Sequence, residues 1–161
     1  MEYSIRLAEK EDISVLLNVR NNKDLFTTYL NQQEKKEVYL LVAEMDRSTI
    51  MGFGLLKLNS NNFSPKLSDL YVNENYRGNG IGSVLIRHRE KLARKLGYSE
   101  IFVSVDPIGN PKMIKLLTKL GYKRITEPYS RTTLFHTEDG TTYQKTYTRV
   151  DLKRSLNFTS M

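Results

Sequence analysis

The chain has 161 residues, 39% of them hydrophobic and 27% charged, with a formal net charge of +7, a balance that suits one soluble globular domain with one core. No apolar run approaches the ~20 residues of a membrane span, so no membrane partner is expected. There is no cysteine to build a disulfide frame or a thiolate metal site, and two histidines, His88 and His136, are too few for zinc, so no metal is expected.

In chain order, "YSIRLA" alternates like a strand, and "EKEDISVLLNVRNN" places Ile13, Leu16, Leu17 and Arg20 at helical spacing. Residues 21–37 are polar and read as a second short helix with loops. "VYLLVAEMD" and "IMGFGLLKLN" read as strands around a polar turn at Arg47, Ser48 and Thr49. "KLSDLYV" is a third strand of this group. A glycine-rich turn follows, then a helix from about Gly80 to Leu96 that Gly97 stops. "EIFVSVD" is a strand. Asn110 and Pro111 form a cap and first-turn pair for the helix "KMIKLLTKL", which stops at Gly121. "YKRI" opens another strand, and Asp139-Gly140 reads as a hairpin tip joining "TLFHT" to "TTYQKTYTRVDL". No repeat or linker divides the chain, so residues 1–152 read as a single domain and residues 153–161 as a frayed tail. The order is strand, helices, three strands, helix, strand, helix, two strands, which is a mixed α/β layer architecture.

The charge is compatible with a polyanionic small ligand as well as with a merely well-solvated basic surface. Basic residues are scattered apart from "RHREKLARK" on one helix, and no aromatic–basic interleaving marks a nucleic-acid face, so no nucleic-acid partner is expected. The opening segment "MEYSIRLAEKED" is charged and lacks a signal-peptide core, so the cytoplasm is the simplest location.

The chemistry concentrates at the glycine turn. Gly78, Gly80 and Gly82 alternate directly after Arg77 and directly before a long amphipathic run. Glycine costs about 1 kcal/mol against alanine inside a helix, so three at a helix start need a reason. The turn lies between a strand end and a helix N-terminus, where free N–H groups and a partial positive charge suit phosphate. Without Cβ atoms the turn can offer successive N–H groups at close range, and Arg77 adds a permanent cation at the rim. A Walker loop needs lysine after the last glycine, but Ser83 and Val84 follow Gly82. A dinucleotide fingerprint starting at Gly78 would need glycine at Ser83, and one starting at Gly80 would need it at Leu85.

The stretch "LYVNENYRGNGIGSVLI" resembles the acetyl-CoA-binding core of the GCN5-related N-acetyltransferase (GNAT) superfamily. Arg77-Gly78-Asn79-Gly80-Ile81-Gly82 fits the family pattern Arg/Gln-x-x-Gly-x-Gly/Ala. "IRLAEKEDISVLLNV" is similar to the family's opening strand and helix, and "GNPKMIKLLTKLGYKRI" to its late helix and strand. The resemblance implies a mixed, mostly antiparallel, twisted central sheet of about seven strands flanked by about four helices. It implies acetyl-CoA as co-substrate, with the backbone N–H groups of Gly78, Asn79, Gly80, Ile81, Gly82 and Ser83 cradling its pyrophosphate. The strand ending in Leu70, Tyr71 and Val72 would receive pantetheine as an added strand. Backbone N–H near Val72 would polarise the thioester carbonyl and hold the developing oxyanion. Asn110 matches an asparagine that touches the cofactor, and it also serves as a plain helix cap.

The implied reaction is direct attack of a primary amine on the acetyl carbonyl through a tetrahedral intermediate, with coenzyme A thiolate leaving. A lysine-like amine has a pKa near ~10.4, so a group must take its proton. Many relatives carry a glutamate where this chain has Ser68, with Asp69 next to it. Regular alternation would put Ser68 and Asp69 on opposite faces, so Asp69 is a candidate base or amine-orienting group and not a simple replacement. Glu74, in the turn, reads as a solvated acid. Many relatives also carry a tyrosine where this chain has Leu117. Tyr71, Tyr122, Tyr129 and Tyr143 are candidate replacement acids beside their ordinary packing roles. His88 reads as a packing residue, and His136 as a residue able to approach the acceptor. The acceptor is expected to be a small-molecule amine, with a protein or peptide amine or a catalytically weakened acyl-CoA-binding module as alternatives. The acceptor's identity, the use of acyl groups other than acetyl, and a homodimer are left open by the sequence.

Overall fold

A computed structural model describes residues 2–46, 48–60, 62–136 and 140–157, the side chain of His136 excepted. Eight strands and four α-helices occur among the described residues. The extra strand arises after the last helix, where three strands stand in place of the expected two. Two compact units are distinguished, Met1–Ile101 with Ser155–Met161, and Phe102–Arg154.

The first unit opens with β1 (Ser4–Leu7), a 3-10 turn at Lys10–Asp12 and the short helix α1 (Ile13–Leu16). The ambiguous polar stretch is a full helix, α2 (Lys23–Glu34), begun by Asn22, whose side chain accepts from the Leu25 N–H at 3.1 Å. Then come β2 (Val38–Asp46), β3 (Thr49–Lys57) and β4 (Lys66–Val72). A second 3-10 turn (Glu74–Tyr76) leads through the glycine turn to α3 (Ile81–Lys95). Strands β1 to β4 are hydrogen-bonded in that order, each antiparallel to the next. Arg47, in the expected β2–β3 turn, lies outside the described residues.

The continuous apolar run "VYLLVA" is explained by burial on both faces of β2. Leu40 and Val42 join Leu16, Phe26, Leu30 and Phe53 in one cluster, while Leu41 and Ala43 join Met51, Ile81 and Leu85 in the other. Phe26 and Phe53 meet edge-on at 5.2 Å, fixing α2 against β3. Truncating a buried phenylalanine to alanine typically costs about 3–5 kcal/mol. Helix α3 ends as expected: the Gly97 N–H donates to Arg94 O and the Tyr98 N–H to Ala93 O, with Gly97 at φ +97.

The second unit holds the main part of β5 (Glu100–Val105), then α4 (Pro111–Lys119), β6 (Lys123–Arg124), β7 (Tyr129–His136) and β8 (Thr142–Ser155). Strand β8 lies between β5 and β6, and its first part pairs antiparallel with β7. Pro111 occupies the first turn of α4 and Gly121 stops it at φ +100, with Tyr122 N–H donating to Leu117 O. Of the expected hairpin tip, Asp139 lies outside the described residues and Gly140 has φ +85. The expectation of a frayed tail from Lys153 is corrected. Strand β8 runs to Ser155, and within the first unit Leu156, 1% exposed, donates its N–H to Ser99 O. A buried leucine and a paired amide hold the chain there. No helix among the described residues is long and apolar enough to cross a membrane.

Candidate active site

The glycine turn takes the conformation its residues demand. Gly78 has φ +83 and Gly80 φ +76, and a Cβ at either would meet no atom within 4 Å. Backbone conformation, not crowding inside the chain, therefore calls for glycine at both. Gly80 caps α3, and Val84 N–H is the first to bond back onto it, at 3.1 Å. Among the described residues the N–H groups from Gly78 to Ser83 make no hydrogen bond. Three of them belong to the first turn of α3, where such donors are always left over. The result is a run of free N–H donors at the positive end of a helix dipole, which fits a diphosphate. Gly82 differs: it lies within the helix, and its Cβ would make only an ordinary 3.7 Å contact with Leu70.

Arg77 does more than line the rim. Its Nε donates to Val72 O at 2.8 Å and its guanidinium lies over the Tyr71 ring at 5.3 Å, tying the turn to the end of β4. Tyr71 in turn stacks on Phe53 at 6.1 Å. Glu74 is exposed.

Strand β4 departs from regular alternation. Phe53 pairs with Tyr71 and Leu55 with Ser68, so Asp69 and Leu70 stand opposite Gly54 alone. This is a bulge of one extra residue. Asp69 absorbs it at φ +42, a conformation aspartate tolerates better than most side chains. The alternation expected for Ser68 and Asp69 is thereby corrected, because a bulge re-aims the side chains beside it. The Asp69 carboxylate accepts from Arg20 Nη1 at 2.9 Å and from the Tyr29 hydroxyl at 2.6 Å. Burial, reinforced by the charge and hydrogen bond of Asp69, holds the Tyr29 hydroxyl protonated well above the usual phenol range.

The sequence reading missed Arg20 and Tyr29 as partners of this carboxylate, and Arg89 behind it. Arg89 is buried on α3 and donates to the carbonyls of Leu55 and Ser68 at 3.0 and 3.1 Å. One signal was present: Gly54 inside an otherwise apolar strand marks a bulge or a close approach.

In the second unit Leu117 is 1% exposed, so its side chain is a core residue. Asn110 makes no side-chain cap bond, which corrects the expectation that it caps α4; its φ of −139 and ψ of 60 begin the helix while the exposed side chain stays uncommitted. Among the candidate acids, Tyr122 is 2% exposed and Tyr143 stacks on Phe135 at 5.3 Å. Tyr129 donates to the buried Asp151 at 2.8 Å, and burial with that contact pushes its hydroxyl up. The same Asp151 oxygen accepts from Ser104 Oγ. His136 closes β7. On α3, burial holds the half-buried His88 below the usual imidazole value, with Lys91 adding to the effect. No group of three or more metal-ligating side chains occurs among the described residues.

A free amide run at a helix start is thus joined through Arg77 to a bulged strand that carries the Asp69 carboxylate, bracketed by Arg20 and Tyr29. The family model for the Acetyltransferase (GNAT) family matches residues 5–122, and the chain belongs to that family. Among solved structures it is similar to an N-acetyltransferase from Staphylococcus aureus Mu50, at 20% identity and TM-score 0.73, covering 98% of this chain and 100% of that one. A ribosomal-protein-alanine N-acetyltransferase from Brucella melitensis gives 19% identity and TM-score 0.71, with 94% and 99% covered. The PaiA N-acetyltransferase from Thermoplasma acidophilum, in complex with coenzyme A, gives 19% identity and TM-score 0.69, with 96% and 99% covered. At such identities these likenesses establish the mixed α/β acetyltransferase fold. No curated protein sequence matches the chain.

Proposed function

We infer that this chain transfers an acetyl group from acetyl-CoA to a primary amine, taking a small-molecule amine as acceptor. The observation that carries the reading is the run of free N–H groups from Gly78 to Ser83 at the head of α3, fitted to a pyrophosphate. Solved relatives bound to coenzyme A or acetyl-CoA support it. In this reading the amine nitrogen attacks the acetyl carbonyl carbon, the C–S bond breaks, and the electron pair leaves with sulfur. Backbone N–H near Val72 stabilises the charge on the carbonyl oxygen. Asp69 faces the incoming amine. Arg20 and Tyr29 already donate to both its oxygens, which favours Asp69 orienting the ammonium and passing its proton to water over acting as the sole base. The thiolate departs without a dedicated acid: its pKa lies near the ~8.5 of a free thiol, so it is a fair leaving group at neutral pH. Lacking general-acid help, worth about 10²–10⁴-fold, turnover is slow but measurable.

A binding-only module is the second reading, favoured by Ser68 and Leu117 standing where many relatives carry a base and an acid. Thiol release from acetyl-CoA, measured against a panel of small amines and amine-bearing peptides, tests both. Release with a small amine supports the first reading and release with peptides alone moves the acceptor class. Tight coenzyme A binding with no release from any amine would leave the binding module.

A further inference from the structure

The bulge of β4 is held from behind. Arg89 is 1% exposed, on the α3 side of the strand pair. Its Nη1 donates to Leu55 O at 3.0 Å and to Ser68 O at 3.1 Å, and its Nε to Leu85 O one turn back on its own helix at 3.1 Å. Leu55 and Ser68 are the pair that borders the bulge. Gly54, alone opposite the extra residue, is what admits the guanidinium: a Cβ there would lie 2.8 Å from both Cζ and Nε of Arg89. The glycine and the arginine thus form one device, in which the missing side chain leaves the space and the guanidinium fills it.

Desolvating a guanidinium is costly, and a leucine or methionine on α3 would serve the core without that cost. What an apolar side chain could not do is bridge two strand carbonyls at the place where the register slips. The planar fork of arginine can, because it offers several donors in fixed geometry. Directly beyond that bridge, Asp69 turns to φ +42 and meets Arg20 and Tyr29.

We propose that Arg89 is a positioning residue for acetyl transfer: by bridging Leu55 O and Ser68 O it fixes the β4 bulge, and through it the aim of the Asp69 carboxylate and of the amides leading to Val72. This rests on the transferase reading above. Arg89 touches no reacting atom and acts through the strand.

The test compares Arg89→Met, Arg89→Lys and Gly54→Ala with the parent, measuring thermal unfolding, coenzyme A affinity by calorimetry, kcat for the best amine, and hydrogen exchange of the Asp69–Val72 amides. Arg89→Met is expected to lower kcat at least ~10²-fold per folded molecule, a loss of the size expected when an aligned group is misplaced. It should change coenzyme A affinity by less than ~3-fold and speed exchange of the bulge amides. Arg89→Lys keeps a donor and should recover part of kcat. Gly54→Ala displaces the guanidinium with the arginine still present, so it should repeat the kcat loss and the faster exchange; it carries the test if Arg89→Met fails to fold. Unchanged kcat and unchanged bulge exchange in a folded Arg89→Met or Gly54→Ala chain would overturn the proposal. So would a kcat loss with unaltered exchange. If the parent releases no thiol from any amine, the transferase reading fails alone, and the exchange rates still decide whether Arg89 fixes the bulge.

Discussion

Gly80→Val separates two demands that one residue meets. The first is backbone conformation. At φ +76 a side chain costs about 1–2 kcal/mol, the penalty of the left-handed region. A Cβ there meets nothing within 4 Å, so the strain in the free protein is conformational. For a chain of this size that strain corresponds to a melting temperature lower by about 2–8 °C. The second demand is ligand approach: branched carbons would stand where phosphate oxygens meet the N–H groups of Gly80 and its neighbours. The expected loss of coenzyme A affinity is at least ~10-fold, or about 1.4 kcal/mol. Gly97→Val supplies the control. Gly97 also has positive φ, +97, and open space around it, but its N–H is spent on Arg94 O at the other end of α3. It should lose similar stability with no change in affinity. Calorimetry and thermal unfolding on both variants decide the matter. A folded Gly80→Val protein that binds like the parent refutes the phosphate cradle. Equal affinity losses in both variants would show that binding merely follows destabilisation.

Gly82→Ala should instead raise stability by a few tenths to about 1 kcal/mol, since Gly82 is helical and a Cβ there makes an ordinary contact; coenzyme A affinity should stay within ~3-fold, as calorimetry would show. Arg77→Ala should weaken coenzyme A binding less than Gly80→Val, and by a larger factor at low salt than at high salt, because the exposed cation is partly screened; titrations at two ionic strengths test this. Leu117→Tyr should lower stability by about 1–3 kcal/mol in urea unfolding and bring no gain in kcat, because the site is 1% exposed and a larger ring overpacks it. The Asp12 carboxyl is held below its ordinary 3.8 chiefly by hydrogen bonds from Arg6. Its contribution is therefore present above about pH 4 and lost as pH falls through the lowered value. Asp12→Asn should cost about 1 kcal/mol at pH 7, and the gap to the parent in thermal unfolding should narrow as the pH falls below the ordinary 3.8.

What the sequence determined by itself was local. Glycine at positions 78, 80, 97, 121 and 140 marked turns and helix ends because only glycine adopts positive φ without strain, and all five have it. The glycine turn at the head of α3 was therefore legible, as was the family. The length of α2 was not, since its polar residues gave only a weak apolar stripe and its start depends on a single Asn22 bond. The tertiary structure alone decided what surrounds Asp69. Asp69 meets Arg20 and Tyr29 from 49 and 40 residues away, and Arg89 reaches Leu55 across 34. Such meetings follow from strand register, and the register turns on one extra residue in β4. Aspartate tolerates the left-handed conformation at that residue but does not announce it as glycine would, so the side chains that the bulge brings together became visible only once β3 and β4 were paired.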